Sequence, residues 1–200
     1  HAWSVQRYED FWTFLLNWTE ILYEGSPSTA VETPGLPGAK FFPNVRLNFA
    51  ENLLAKGAPD ATALVSLTES RPEQRLTYAE LRHHVARLAQ ALKTLGIEPG
   101  DRVAGFVPNC AEAVIAMLAT ASLGATWTSC SPDFGKEGLL DRFGHVAPRV
   151  LFAPNGYQYN GKRFDCLDKV QQIAAQLPSV ERVVVFPFLD DHPMPAPSER

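Results

Sequence analysis

The residues that could take part in chemistry lie in one central stretch and in one basic pair. Cys130 and Ser131 could act as nucleophiles beside a base, and His145 is the nearest imidazole in the sequence. No third group that would orient His145 is evident, so structural roles for the thiol and the hydroxyl are the alternative. Lys162 and Arg163 lie in a glycine-containing segment, which suits phosphate binding, although an ordinary solvated pair would have the same sequence.

Three common motifs of nucleotide-binding and hydrolytic sites do not occur in the sequence. There is no GxxxxGK[ST], no GxGxxG after a strand and no GxSxG. His83 and His84 are adjacent on a predicted helix, where neighbouring side chains face different ways, so we do not expect them to share a metal ion. The three cysteines are widely spaced, which predicts reduced thiols rather than a disulfide framework or a zinc site.

The composition limits the classes of partner that we expect. The chain has 200 residues, of which 46% are hydrophobic, enough for one domain or for one domain with an arm. A formal net charge of −4 makes nucleic acid and anionic membrane unexpected partners. No apolar run approaches the ~20 residues of a membrane helix, and the start at His1 has no signal-peptide pattern. We therefore expect a soluble, cytoplasmic protein.

The central stretch runs from Leu123 to Gly135 and predicts the rim of a ligand site. A helix is expected to stop at Gly124, a short strand to cover 126–129, and a loop over 131–135 to open the next helix. In open α/β sheets, ligands bind where the carboxyl ends of strands meet such loops.

Strands and helices alternate along the rest of the chain, at spacings typical of parallel βαβ units. Strands are predicted at 63–67, 102–108, 126–129, 150–152 and 180–186, with helices between them and a polar loop at 155–163. Thr77 and Glu80 form a capping box, and Asn109 is expected to cap the following helix. The predicted fold is α/β: a largely parallel sheet with helices on both faces, preceded by an aromatic-rich helical arm near 3–23.

Several stretches together resemble the short-chain acyl-CoA synthetases, which are adenylate-forming enzymes. Phe42–Asn52 resembles the opening signature of that family, and Leu76–Leu81 and Ala119–Ser131 resemble its first two core motifs. Three further stretches resemble the acetoacetyl-CoA synthetase group within the family: Ser131–Gly135, Leu140–Phe143 and Tyr157–Lys162.

This resemblance implies an acid–thiol ligase that uses ATP, coenzyme A and Mg in its full-length form. An acid such as acetoacetate would form an acyl-adenylate, and coenzyme A would then attack it. The family's phosphate loop, adenine motifs, hinge and catalytic lysine match nothing here, so no catalytic residue is carried over. We expect an N-terminal fragment, inactive alone, that binds none of these cofactors by itself.

The resemblance also implies a domain division and small-molecule partners. Residues 1–58 correspond to the family's N-terminal arm and linker, and residues 59–200 to the first part of its large AMP-binding domain. The substrates would be acetoacetate, ATP and coenzyme A, and surface exposed by the truncation would favour self-association. Acetyl- or propionyl-CoA ligases, and a non-catalytic coenzyme A-binding domain, remain as alternatives.

Contact with coenzyme A is the one role that the resemblance assigns to residues of this chain. Ser131, Pro132, Asp133 and Phe134 correspond to a segment that borders the pantetheine tunnel. Lys162 and Arg163 lie in the loop whose basic residues reach the nucleotide phosphate, and only Lys162 matches a basic position cleanly. Pro132 and Asp133 stand where the acetyl-CoA enzymes usually have two glycines, which changes how closely the backbone can approach a ligand.

Overall fold

A computed structural model describes residues 1–33, 35, 37–189 and 194. These residues form two compact units, His1–Lys56 and the part of the chain from Gly57 onward. The predicted division of the whole enzyme after residue 58 stays a prediction. No helix of the described part is both long and apolar enough to cross a membrane.

The first unit contains short helices and short antiparallel strand pairs. Its elements are α1 (Ala2–Gln6), α2 (Tyr8–Trp18), β1 (Glu24–Gly25), β2 (Val31–Thr33), β3 (Lys40–Phe41), β4 (Val45–Arg46) and α3 (Phe49–Ala55). The predicted helical arm is confirmed, but it is two helices with a break at Arg7 and it ends at Trp18. Aromatic side chains hold the two together, with the rings of Trp3 and Phe11 5.3 Å apart.

The second unit contains the remaining elements of the described chain. These are β5 (Thr62–Ser66), β6 (Gln74–Thr77), α4 (Tyr78–Thr94), β7 (Arg102–Phe106), α5 (Ala111–Ser122), β8 (Thr126–Cys130), α6 (Lys136–Val146), β9 (Val150–Pro154), β10 (Gly156–Tyr159), β11 (Lys162–Asp165), α7 (Leu167–Gln176) and β12 (Arg182–Phe186). The capping box that starts α4 is present: Thr77 accepts from the Glu80 amide, and Glu80 accepts from the Thr77 amide.

Four of these strands form a parallel sheet in the order β12–β9–β7–β8. The chain moves outward from β7 to β8 and then returns across β7 to β9. Since such crossovers are right-handed, the reversal puts α5 and α6 on opposite faces of the sheet. The predicted α/β fold with a parallel sheet is confirmed, and the reversal creates a switch point at which α/β proteins bind ligands.

The main core lies between one face of this sheet and the helices α6 and α7. Ala104, Phe106, Leu151 and Ala153 face Leu139 and Phe143 of α6 and other apolar side chains in a single buried cluster. The opposite face carries Gly105 and the ring of Trp127, which lies 6.1 Å from the ring of Phe152. Successive side chains of a strand therefore pack in two apolar layers, which is why β7, β9 and β12 contain continuous hydrophobic runs.

One predicted strand pairs differently from the expected parallel arrangement, and two other local predictions are wrong. The predicted strand at 63–67 exists as β5, but it pairs antiparallel with β6 in a separate two-stranded sheet. The polar loop predicted at 155–163 is largely a β-hairpin of β10 and β11, because Asn160 and Gly161 adopt the positive φ angles of a tight hairpin turn. Cys110, not Asn109, occupies the cap position of α5, and it makes no side-chain capping hydrogen bond.

Candidate functional site

A cavity of about 400 Å³ opens at the carboxyl ends of the parallel strands β7 and β8. Its lining comes from five segments of the second unit and from Ala113 of α5: residues 67–69, 107–109, 129–133, 157–159 and Phe188. The cavity therefore lies at the switch point of the sheet, where the sequence predicts the rim of a site. Of the six residues assigned to coenzyme A contact, Ser131, Pro132 and Asp133 line it.

The ends of β7 and β8 are held side by side at the floor of this cavity. The two strands pair in register up to Phe106 and Cys130, and the Val107 amide then donates to the Cys130 carbonyl at 3.1 Å. Pro108 follows and has no N–H to continue the ladder, so the chain turns away from the sheet there.

The loop after β8 is fixed by hydrogen bonds within it and by two basic side chains from neighbouring helices. The Ser131 hydroxyl donates to the Asp133 carboxylate at 3.1 Å, and the Phe134 amide donates to the Ser131 carbonyl at 3.2 Å. Lys169 of α7 donates to the carbonyls of Pro132 and Phe134, and the guanidinium of Arg142 lies 4.6 Å from the Phe134 ring centre. The loop is thus preorganised, with Pro132 fully buried and Asp133 exposed toward the cavity.

The titratable groups of the cavity favour binding over nucleophilic chemistry. Burial, and then the neighbouring Asp133 carboxylate, raise the pKa of Tyr157 to about 12, so its phenol remains a hydrogen-bond donor. Burial also raises the pKa of the Cys130 thiol, against the opposing effect of Arg142. A protonated thiol is a poor nucleophile. This argues against Cys130 as the nucleophile that the sequence allows.

The geometry does not support His145 as a base for Cys130 or Ser131 either. Its imidazole is 83% exposed and lies 3.5 Å from the carboxylate of Asp141 on the same helix. The Ser131 hydroxyl is directed at Asp133 instead. We conclude that the thiol and the hydroxyl have structural or binding roles.

Lys162 and Arg163 lie on β11, one strand away from the cavity. They pair with Tyr159 and Gln158 of β10, which are among the lining residues, and both basic residues are exposed. The segment from Gly156 to Lys162 has GxxxxGK spacing, but Arg163 follows and the segment is a hairpin, not a phosphate loop that opens a helix. The Asn-Gly pair between alternating aromatic residues is a hairpin signal that the sequence reasoning overlooked.

One residue that the sequence does not single out connects the cavity to the rest of the second unit. Asn155 is fully buried at the end of β9, where its side-chain oxygen accepts from the Phe188 and Leu189 amides at 2.7 and 3.0 Å. Its side-chain nitrogen donates to the Leu189 carbonyl at 2.9 Å. This asparagine fixes Phe188 as a wall of the cavity, and no local pattern in the sequence indicates it.

Comparisons with known proteins agree with this architecture. The model of the family described as AMP-binding enzyme matches residues 53–199. The chain is 46% identical over 199 residues to acetoacetyl-coenzyme A synthetase of Rhizobium meliloti, which covers 99% of this chain and 30% of that protein. It is 43% identical over 192 residues to the acetoacetyl-CoA synthetase of Mus musculus, covering 94% and 29%.

Solved structures give the same result. The acetoacetyl-CoA synthetase from Streptomyces lividans superposes with a TM-score of 0.93 and 41% identity, over 100% of this chain and 31% of that one. An acyl-CoA synthetase from Brucella canis shares the fold, with a TM-score of 0.59 at 22% identity, over 75% of this chain and 25% of that one. The chain thus spans about 30% of the length of the relatives it matches. The resemblance read from the motifs is confirmed, and the chain belongs to the AMP-binding enzyme family.

Proposed function

We propose that this chain is the amino-terminal part of an ATP-dependent acetoacetate–CoA ligase. The observation that carries the proposal is the 40–46% identity to several acetoacetyl-CoA synthetases along almost the whole chain. In the proposed reaction, the acid and ATP form an acyl-adenylate and diphosphate, and the thiol of coenzyme A then displaces AMP. ATP and Mg would supply the activation step in the complete enzyme, and we assign none of its groups to this chain.

We propose that the residues described here contribute a surface for the pantetheine arm of coenzyme A. The cavity combines apolar groups such as Leu67 and Phe188 with hydrogen-bonding groups such as Asp133 and Tyr157. Pantetheine has the same mixed character, because its amide N–H groups need acceptors and its methyl groups favour apolar contact. The fit of the cavity to this ligand supports the roles assigned to Ser131 and Asp133, whereas the fully buried side chain of Pro132 shapes the loop that carries them.

The second acyl substrate to consider is malonamate, because one relative is a malonamoyl-CoA synthetase. That protein, from Penicillium aethiopicum, is 40% identical to this chain over 193 residues, as similar as several acetoacetyl-CoA synthetases. Malonamate and acetoacetate are short acids that both carry a carbonyl group at the third carbon. We therefore propose short acids with this carbonyl as the substrate class, with acetoacetate first.

We also propose a reducing, cytoplasmic setting, which the three free, buried thiols suit.

The test is a substrate comparison with the complete polypeptide. AMP release is measured with ATP, Mg and coenzyme A and with acetoacetate, malonamate, acetate or propionate as the acid. We expect the highest kcat/KM with acetoacetate, and release that depends on coenzyme A. A preference for acetate or propionate would reject the acyl assignment. Binding of coenzyme A without any AMP release would favour a non-catalytic binding domain instead.

A further inference from the structure

The turn between β5 and β6 contributes to the lining of the cavity. We call residues 67–71 of this turn the strap; Leu67, Thr68 and Glu69 line the cavity, and Arg71 ends the strap. In the described part of the chain, the hairpin of β5 and β6 shares no backbone ladder with the parallel sheet. The position of the strap at the cavity therefore depends on side-chain contacts.

Glu69 connects the strap to the turn of the other hairpin. Its carboxylate accepts from both backbone amides of that turn, Asn160 at 3.0 Å and Gly161 at 2.9 Å, one with each oxygen. Asn160 and Gly161 both have positive φ angles, of 50° and 72°. Successive amides in such a turn form a concave anion site. Here a carboxylate from the protein itself occupies it, and these amides hold the pKa of Glu69 below its ordinary value.

Arg71 holds the other end of the strap. Its guanidinium donates to the Glu112 carboxylate of α5 at 2.6 Å, to the Phe188 carbonyl at 2.9 Å and to the Pro187 carbonyl, and it lies 4.2 Å from the Phe188 ring centre. The Phe188 amide is held by Asn155. The strap is thus anchored to α5 and to the segment after β12, and Glu69 projects from an anchored base.

Lys162 follows the turn that Glu69 holds. It comes directly after Gly161 in the chain and pairs with Tyr159, which lines the cavity. A two-stranded hairpin with an exposed tip is marginally stable by itself. The strap supplies the tip of this hairpin with two charge-assisted hydrogen bonds from a fixed point.

We propose that Glu69 is a positioning residue for coenzyme A: it holds the Asn160–Gly161 turn so that Lys162 meets the phosphate of the bound cofactor at the edge of the cavity. This inference rests on the proposed function. It assigns a role to a carboxylate whose charge, by itself, repels a phosphate-bearing ligand.

That repulsion provides a sharp test, because positioning and simple electrostatics predict opposite signs. If Glu69 acted only through its charge, its neutralisation would lower the KM for coenzyme A. If Glu69 positions the turn, its neutralisation raises that KM, since the turn amides lose one acceptor oxygen in the Gln variant and both in the Ala variant, and Lys162 loses its fixed place.

The experiment uses the complete enzyme with Glu69→Gln, Glu69→Ala and the matched control Glu73→Gln. Glu73 lies in the same β5–β6 turn and is exposed, but its carboxylate pairs with Arg75 at 2.5 Å. We expect both Glu69 variants to raise the KM for coenzyme A roughly three- to tenfold. The rise in this KM should exceed any change in the rate of ATP–diphosphate exchange, which is measured without coenzyme A. Glu73→Gln should not raise the KM for coenzyme A.

The double variant Glu69→Ala, Lys162→Ala decides whether Glu69 acts through Lys162. We expect its KM for coenzyme A to be no higher than that of Lys162→Ala alone. A multiplicative increase, an unchanged or lowered KM in both Glu69 variants, or an equal loss of exchange and coenzyme A use would each overturn the inference. The wild-type enzyme separates the two proposals. If it does not use coenzyme A, both the proposed function and this inference are rejected; if it does, the variants test the inference alone.

Discussion

At the scale of single residues, Lys162 is the group whose proposed role depends most on its surroundings. The sequence leaves it as either a phosphate contact or half of a solvated pair. The structure places it on an exposed strand beside a turn that the strap holds, and outside the lining of the cavity. Under the proposed function, Lys162 would meet only a part of coenzyme A that emerges from the cavity, such as a phosphate, and not the pantetheine arm.

We therefore predict that Lys162→Ala in the complete enzyme raises the KM for coenzyme A roughly three- to tenfold, as expected for one exposed charge-assisted contact. Its effect on ATP–diphosphate exchange should be smaller. Dephospho-coenzyme A, which lacks the ribose phosphate, is the control, because the variant should lose its discrimination against it. An equal weakening of both cofactors would show that Lys162 does not contact that phosphate.

Asp101 gives a prediction about pH and stability at the amino-terminal end of β7, opposite the end at which the cavity opens. Its carboxylate accepts from the Glu98 amide at 2.9 Å and from Arg149 at 2.6 Å. The pKa of Asp101 lies below its ordinary value. The hydrogen bond from the Glu98 amide contributes most to this lowering, and the hydrogen bond from Arg149 contributes next. A lowered folded-state pKa adds stability above the unfolded pKa of about 4, and this stability is lost as the pH falls through the folded pKa.

Asp101→Asn should therefore lower the free energy of unfolding by about 1–2 kcal/mol at pH 7. The difference from the wild type should shrink as the pH falls below 4, because the wild-type carboxylate then becomes neutral too. Urea unfolding at a series of pH values measures this, with Asp60→Asn in an exposed turn as the control. A difference that stays constant over the whole pH range would contradict the assignment.

At the scale of elements, the glycines show how the same residue type can have opposite roles in a strand and in a helix. Gly105 lies in β7 under the ring of Trp127, and a Cβ added there would lie 2.6 Å from two ring atoms. Gly144 lies in α6, where a Cβ would meet no atom within 4 Å. The first glycine provides space for packing, and the second only weakens its helix.

We predict that Gly105→Ala destabilises the protein by about 1–3 kcal/mol through overpacking. The matched change Gly144→Ala should stabilise it by about 0.5–1 kcal/mol, since alanine has the higher helix propensity. Thermal unfolding of the two variants beside the wild type checks both signs. Equal shifts in the same direction would mean that the contact with Trp127 is not the cause.

At the scale of the whole molecule, the parallel sheet ends in a strand without a further paired neighbour on either side, within the described residues. β8 and β12 are its edge strands, each paired on one side only within the described residues. Apolar side chains are also exposed in the second unit, among them Val65 at 41% and Leu67 at 69%. In relatives more than three times as long, further chain is available to cover such edges and side chains.

The isolated 200-residue chain should therefore self-associate through these surfaces. Sedimentation velocity over a range of concentrations should show a mass that rises with concentration. A single monomeric species at high concentration would contradict this prediction.

The isolated chain should also form no acyl-adenylate, because none of its motifs provides for the phosphates of ATP. Diphosphate release with acetoacetate, ATP and Mg should stay at background. Release above background from the purified chain would show that the activation site is present in this part.

The sequence alone determined those elements whose signals are local. The capping box of α4 and the apolar stripe behind it, the stop at Gly124 and the β-strand runs could be read directly, because caps, periodicity and turns depend on neighbouring residues. The same local motifs carried the family resemblance. The hairpin at Asn160 and Gly161 belongs with these elements, because its Asn-Gly turn signal is local too.

Only the tertiary structure decided how distant parts of the chain combine. The antiparallel pairing of β5 with β6, the burial of Asn155 against Leu189 and the contact of Glu69 with a turn 91 residues away follow from packing. An exposed glutamate or a single asparagine has no sequence pattern that names its partner, because a hydrogen bond between distant residues depends on the fold that brings them together. The cavity is such a product, since five segments meet there that the sequence leaves apart.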